Sequence, residues 1–204
     1  TYYIRRDCAY EICGYCLDKK YITEQNYNGL SVVDFEKVKE IYPPSEYKMA
    51  VLVGYQRMNK FREEHFLAAK EKGYTCISYI SKNAACDTQE IGENNFILDM
   101  SIIQPFVKIG DNNIIWSGSH IGHHSRIGNN TFLASPKISG MVEIGDNSFI
   151  GVNVPLGDNL KIGKACVIGA GSVVLKNIPD GTILANQQSK AMPIKTFDME
   201  DILG

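Results

Sequence analysis

From residue 91 onward, aliphatic side chains recur every six residues: Ile91, Ile97, Ile103, Ile109, Ile115, Ile121, Ile127 and Leu133, then Ile138, Ile144, Ile150, Leu156, Ile162, Ile168 and Val174. Fifteen consecutive hexads begin this way, one of them (133–137) a residue short, and glycine follows the aliphatic residue in nine. A helix face repeats every 3.6 residues and a half-buried strand every 2, so neither keeps a period of six. This is the pattern of a parallel β-helix, in which three hexads close one triangular coil. Fifteen hexads then make five coils over 91–179. The aliphatic residue at position one fills the interior, and coils stack at about 4.8 Å. A hexad sits over the one 18 residues earlier, or 17 where the short hexad intervenes.

Residues 1–85 have a different texture. "TYYIRRD" reads as the end of a helix and "YEICGYCL" as a strand. "GLSVVDFEKVKEIYPP" reads as a strand followed by a helix that starts near Asp34 and stops at Pro43 and Pro44. "YKMAVLVGY" is nearly all apolar, as in a strand buried on both faces, and "YTCISYI" reads as another strand. "MNKFREEHFLAAKEKG" places Phe61, His65, Phe66 and Ala69 at helical spacing and ends at Gly73. Strands alternating with helices predict a small Rossmann-like parallel sheet, an α/β domain over 1–85. A C-terminal tail over 180–204 follows the β-helix.

Composition adds bounds. The 204 residues are 44% hydrophobic and 22% charged, and the formal net charge is −2. That gives no pull toward nucleic acid or an anionic membrane. No apolar run approaches the ~20 residues of a bilayer span and no signal peptide opens the chain, so a cytoplasmic protein is expected. Six scattered cysteines do not form a disulfide framework. Cys13 and Cys16 have redox-motif spacing, but such a pair needs a helix N-terminus, and this segment reads as a strand. They are read as small strand residues, and Cys166, at position five of its hexad, as packing.

Three of the four histidines, His120, His123 and His124, lie in "GSHIGHHSRIG". Position three of a hexad faces outward, so the stacking rule lines His123 up with Pro105 below and with Gly140, Asp158 and Lys176 above. Gly140 leaves room beside the imidazole and offers a backbone N–H to an oxyanion. His123 is of the type that takes a proton near neutral pH. His65, in the first domain, reads as a packed residue on the apolar helix stripe.

The run "IWSGSHIGHHSRIGNNTF…ISGMVEIGDNSFIGVN…IGAGSVVLKN", behind an α/β domain containing "GYQRMNKFRE" and "GYTCISYIS", resembles the hexapeptide-repeat sugar acyltransferases of the sialic acid O-acetyltransferase and bacillosamine N-acetyltransferase type. The resemblance covers nearly the whole chain. It implies a left-handed β-helix, a homotrimer, and acetyl-CoA as co-substrate bound between adjacent subunits, with no metal. It also implies a nucleotide-linked sugar whose amino or hydroxyl group is acetylated. Residue by residue, the catalytic histidine falls on His123 with His124 beside it, and the polarising amide on Gly140. Coenzyme contacts fall on Gly151, Ala170, Gly171, Lys176 and Lys190, with Lys164 as a further basic candidate, and sugar-nucleotide contacts on Asp18, Gly54 and Tyr55. There are departures: His124 stands where bacillosamine-type enzymes have glutamate, and "NQQSK" (186–190) replaces a G-x-P-A-K motif. Family members also open with a strand and glycine-rich turn, which the resemblance implies upstream of Thr1.

Two rival readings stand beside this one. Trimeric hexapeptide β-helices include zinc carbonic anhydrases with three histidine ligands, although His120, His123 and His124 occupy different hexad positions. A sugar-nucleotide-binding trimer without catalysis would share the same fold.

Overall fold

The computed structural model describes residues 1–191 and 193. The expected β-helix is present, a three-sided prism of two-residue strands. The first face stacks Phe96–Ile97, Ile114–Ile115, Phe132–Leu133, Phe149–Ile150 and Val167–Ile168. The second stacks Ile102–Ile103, His120–Ile121, Lys137–Ile138 and Pro155–Leu156, and the third Lys108–Ile109, Arg126–Ile127, Glu143–Ile144 and Lys161–Ile162. Every pairing among these strands is parallel. The register is 18 residues at Phe96↔Ile114 and 17 at His120↔Lys137, as the short hexad requires. The second residue of each strand points inward and is buried. Ile97, Ile103, Ile115, Ile121, Ile138 and Ile150 are fully enclosed.

Each coil turns at position four, and the geometry there is left-handed. Asn94, Asn112, His124, Asn130, Asn147 and Asn159 have φ between 54° and 59°. Asparagine tolerates this region better than most residues, which explains its recurrence. At the corner between the third and first faces these asparagines also form a buried ladder. Asn94 Nδ2 donates to Asn112 Oδ1 and Asn112 Nδ2 to Asn130 Oδ1, each at 2.7 Å. Asn130 Nδ2 and Asn147 Nδ2 then donate to the two carboxylate oxygens of Glu63.

The N-terminal region contains α1 (Tyr2–Asp7), β1 (Gly14–Leu17), β2 (Asn26–Tyr27), β3 (Leu30–Asp34), α2 (Val38–Ile41) and α3 (Lys60–Glu71). Asp34 caps the turn leading into α2 by accepting the Glu36 N–H, and Gly73, at φ 91°, follows α3. Two expectations need correction. The sheet is mixed rather than parallel: β1 pairs parallel with β3, and β2 pairs antiparallel with it. The apolar run over 47–55 is not a buried strand either. Met49 makes a single bridge to Cys76, and Leu52 and Tyr55 are exposed. A cavity of about 540 Å³ separates this run from β1, and the Val51 N–H and C=O are satisfied by the Asn94 side chain at 2.8 and 3.0 Å. An asparagine of the β-helix thus takes the place of a strand partner. Within "YTCISYI" only Tyr79–Ile80 is strand, and it pairs with Phe96–Ile97 on the first face. Ala85–Cys86 likewise joins the second face. Beyond residue 179, Ile183–Leu184 pairs with Val167–Ile168. Of the expected tail, residues 192 and 194–204 lie outside those described.

Two arginines tie the α/β elements to the prism. Arg62 on α3 is completely buried. Its Nε donates to Asn112 O, its Nη2 to Asn130 O and Thr131 O, and its Nη1 to Gly54 O and Asn59 Oδ1, all within 2.9–3.2 Å. None of these acceptors is a carboxylate, and burial lowers its pKa to about 10, which leaves it charged at neutral pH. Arg6 on α1 grips Asp7 at 2.7 Å and Asp99 of the first coil at 2.6 Å. The hydrogen bonds from Arg6, then that from Ser81, hold the Asp99 carboxyl down at about 2.

Arg62→Met should destabilise the protein by about 3 kcal/mol, because several buried carbonyls lose their donor at once; denaturant unfolding measures this. The Asp99 carboxyl sits below its unfolded value. It therefore adds stability above about pH 4 that is lost as pH falls toward about 2. Asp99→Asn should flatten that part of the acid-unfolding curve.

Candidate active site

His123 follows the His120–Ile121 strand and stands at the corner between the second and third faces. Its position is fixed from the backbone outward. The His123 N–H donates to Gln104 Oε1 of the coil below at 2.9 Å, and its carbonyl accepts the Met141 N–H from the coil above. The imidazole is exposed and lies flat against Gly140. A Cβ on that residue would be 2.7 Å from His123 Cε1 and 2.8 Å from Nε2, so only glycine admits the ring there. The other edge of the ring faces His124, with Nδ1 to Nδ1 at 3.0 Å and the rings nearly perpendicular at 87°. His124 is held by its N–H bond to Pro105 O and by packing on Phe106, centroid to centroid 4.7 Å.

The column expected from the stacking rule is therefore real for His123 and Gly140, and Asp158 extends it. The Gly140 N–H donates to Asp158 Oδ1 at 3.0 Å. This bond belongs to a pattern: Asp111, Asn129, Asp146 and Asp180 accept the equivalent N–H groups of Glu93, Asp111, Asn129 and Lys164. The amide assigned to an oxyanion is thus engaged, and an incoming carbonyl oxygen has to displace a carboxylate to reach it. His120 lies apart, half-buried on the outer side of the second face. Among the described residues, no group of three or more His, Cys, Asp or Glu side chains is placed to hold a metal ion.

The residues matched to coenzyme contacts are not brought together in one chain. Gly151, Ala170 and Gly171 lie at the corner between the first and second faces, one corner away from His123. Gly151 is required by the coil itself, since a Cβ would come within 2.6 Å of Ala170 N. Gly171 adopts φ 68° and its carbonyl accepts from Asn186 Nδ2. Lys176 is exposed on the His123 corner, Lys190 is exposed beyond the last strand, and Lys164 pairs with Asp146 at 3.4 Å on the remaining corner.

The residues matched to the sugar nucleotide fall into two places. Asp18, just after β1, contacts His65 Nε2 at 3.2 Å, while His65 Nδ1 lies 2.8 Å from Phe61 O. Gly54 and the exposed Tyr55 lie against the first face, with Tyr55 edge-on to Phe132 at 5.1 Å. None of the three lines the 540 Å³ cavity beside β1. Helical spacing marks His65 only as a packed residue, and nothing in the local pattern signals its contact with Asp18. The six thiols are free, and burial pushes Cys16 up to about 11, which is opposite to a reactive redox cysteine. Cys166 is buried, in agreement with packing.

Comparison with known proteins places the chain. Residues 90–123, 108–135 and 141–176 match the bacterial transferase hexapeptide family (six repeats). Over those residues the chain carries that family's repeat, and its fold is a left-handed parallel β-helix. It is 36% identical over 108 residues to an acyl-[acyl-carrier-protein]–UDP-N-acetylglucosamine O-acyltransferase of Nautilia profundicola, covering 49% of this chain and 42% of that protein. A Burkholderia mallei enzyme of the same name is 30% identical, with 49% and 41% covered. The chain thus spans about four-tenths of the length of these curated relatives. Among solved structures it resembles the acetyltransferase domain of PglB from Neisseria gonorrhoeae (TM-score 0.76, 21% identity, 88% of this chain and 86% of that one). PerB from Caulobacter crescentus, in complex with CoA and GDP-perosamine, gives 0.72 at 23% identity over 80% and 79%. WeeI from Acinetobacter baumannii gives 0.73 at 23% identity over 85% and 82%.

Gly140→Ala should leave the unfolding free energy within about 1 kcal/mol, because the group that must move is an exposed side chain. The His123 ring should swing away and lose its contact with His124, as a crystal structure of the variant would show.

Proposed function

We propose that this protein transfers an acyl group, in the first instance acetyl, from a coenzyme A thioester to an amino group on a nucleotide-linked sugar. The single observation that carries the proposal is the exposed His123 imidazole laid on a bare Gly140, with its opposite nitrogen held by His124. The relatives support the acceptor class: the sequence relatives are named for UDP-N-acetylglucosamine, and PerB was solved with CoA and GDP-perosamine. An amine is preferred to a hydroxyl because the α/β region resembles that of nucleotide-amino-sugar enzymes, and a sugar hydroxyl is the alternative acceptor.

The thioester supplies an activated acyl group whose bond to sulfur breaks as the acceptor nitrogen bonds to the carbonyl carbon. The chain's task is positional and protonic. His123 Nε2, on the ring edge away from His124, takes the proton that the acceptor nitrogen loses, and that proton is then available to the departing thiolate. General-base help of this type is worth about 10²–10⁴-fold, and holding both reactants in one cleft supplies further rate. Gly140 has two roles: its bare Cα admits the imidazole, and its N–H stabilises the oxyanion once Asp158 yields it. Gly151, Ala170 and Gly171 offer a backbone corner along which a slender pantetheine arm can lie. Lys176 and Lys190 provide exposed cations for its phosphates. Asp18 with Gly54 and Tyr55 orients the nucleotide sugar.

A complete site needs more than one copy of the chain, and homotrimer assembly belongs to the same proposal. The His123 corner and the Gly151–Ala170–Gly171 corner both flank the second face. Met100, Ile102, Phe106, Met141, Val152 and Val173 are exposed on or beside that face. The third face carries Lys108, Arg126, Glu143 and Lys161, and α3 packs at its far corner. The second face is thus the apolar surface left for another subunit, and docking there sets one chain's histidine opposite the next chain's glycine corner.

The test is thiol release from acetyl-CoA with a panel of UDP-, GDP- and dTDP-amino sugars. One sugar should be turned over, and His123→Ala should lower kcat by a hundredfold or more. Failure with every amino and hydroxyl sugar, or unimpaired turnover by His123→Ala, would overturn the proposal. Turnover only with an acyl carrier protein would change the donor and keep the reaction. In sedimentation, the wild type should run as a trimer and Ile102→Asp as a monomer.

A further inference from the structure

We infer that His123 and His124 form a one-proton dyad in which His124 Nδ1 accepts a hydrogen bond from His123 Nδ1–H, leaving the His123 Nε2 lone pair free on the ring edge away from His124. The 3.0 Å contact joins two ring nitrogens of the same kind. A bond at that distance needs one N–H and one lone pair, so a single proton lies between the rings. If His123 donates, its Nε2 is bare on the exposed ring edge away from His124, and His124 carries its own proton on Nε2. If His124 donates, His123 bears its proton on Nε2 and has no lone pair on that side. Only the first arrangement leaves a base on the exposed edge of His123.

The contact also survives the proton transfer that the reaction needs. A proton arriving at His123 Nε2 makes an imidazolium whose Nδ1–H still points at the His124 lone pair, a charge-assisted bond. Asp158, the carboxylate in this column, is turned to the Gly140 N–H, and Lys176 is the next charged residue above it. Within the described contacts the acceptor for His123 Nδ1–H is therefore neutral. The scaffold fixes that acceptor through the left-handed backbone at His124 (φ 59°), the Pro105 carbonyl and the Phe106 ring.

His124 is then a positioning residue, acting through His123. The shared proton rests on geometry; the choice of donor and its consequence for turnover rest on the acyltransferase reading. The test is nitrogen-15 NMR on histidine-labelled protein above the histidine titration range, with kinetics in parallel. In wild type the unprotonated-nitrogen shift should lie on His123 Nε2. In His124→Gly, which keeps the left-handed backbone accessible, it should move to His123 Nδ1. kcat should then fall about tenfold or more with KM within about threefold, and His124→Glu should restore both the shift and most of kcat. A protonated His123 Nε2 in wild type, or a tautomer unchanged in His124→Gly, would overturn the inference even if acyl transfer is confirmed. The predicted shifts without any acyl transfer would uphold the dyad and sink the reaction.

Discussion

The buried guanidinium of Arg62 is the constraint on which the rest of the arrangement depends. A charge removed from water without a carboxylate partner is costly, and here it is offset by five hydrogen bonds to oxygen acceptors. Three of those acceptors are carbonyls at the corners of successive coils, so α3 is docked in one register along the prism and in no other. Arg57, Met58 and Asn59 enter α3 through three consecutive left-handed residues. Such a turn persists only when its surroundings over-determine it. Asn59 does so by contacting Arg62 with its Oδ1 while its Nδ2 reaches the carbonyls of Asn147 and Ser148. Gly54, Tyr55, His65 and, through His65, Asp18 take their places from this one docking.

The corners of the prism show how a repetitive scaffold makes a local exception. Position four asks for left-handed backbone, and the corner beside α3 answers with Asn94, Asn112, Asn130 and Asn147. The corner carrying His123 has Phe106, His124 and Met141 at the same position and with the same sign of φ, and returns to asparagine only at Asn159. Phe106 and Met141 are poorer fits to that backbone than asparagine, and both are exposed apolar side chains. The corner between the first and second faces departs likewise, with Met100, Gly118 and Ser135 before Asn153, so these two corners carry side chains that the asparagine ladder does not, His124 and its Phe106 support among them.

The β-helix is readable because its signal is a period, summed over fifteen hexads, and a period fixes register as well as type. The 17- and 18-residue stacking comes from counting, and with it the neighbourhood of His123 and Gly140. The 47–55 run misleads because apolar content marks burial without marking hydrogen-bond partners. At its centre the Val51 groups go to Asn94, some forty residues away, which no local pattern reveals. Arg62 leaves a trace: it shares a helix face with Phe66 and Ala69, and a charge on an apolar stripe asks for a reason. The bond from Gly140 to Asp158 is also within reach of the sequence, since the same spacing places Asp111 over Glu93 and Asn129 over Asp111. It is easily passed over, because an Asx residue at position three looks like a solvated side chain and acts instead as the acceptor for the coil beneath.

That last bond constrains how chemistry is fitted to such a scaffold. In a β-helix nearly every backbone amide has a partner already, because coils stack through it, and an amide that is to stabilise an oxyanion has to be released by the fold first. Asp158 can release Gly140, since its own side chain is exposed and can return to water. The His123 imidazole needs no such exchange: its partner, His124, is a side chain on a corner, outside the stacking bonds altogether. The proton-handling half of the site can therefore be built without disturbing the coil. The oxyanion half competes with it, so under the proposed acyl transfer the base and the placement of two reactants between copies of the chain come first.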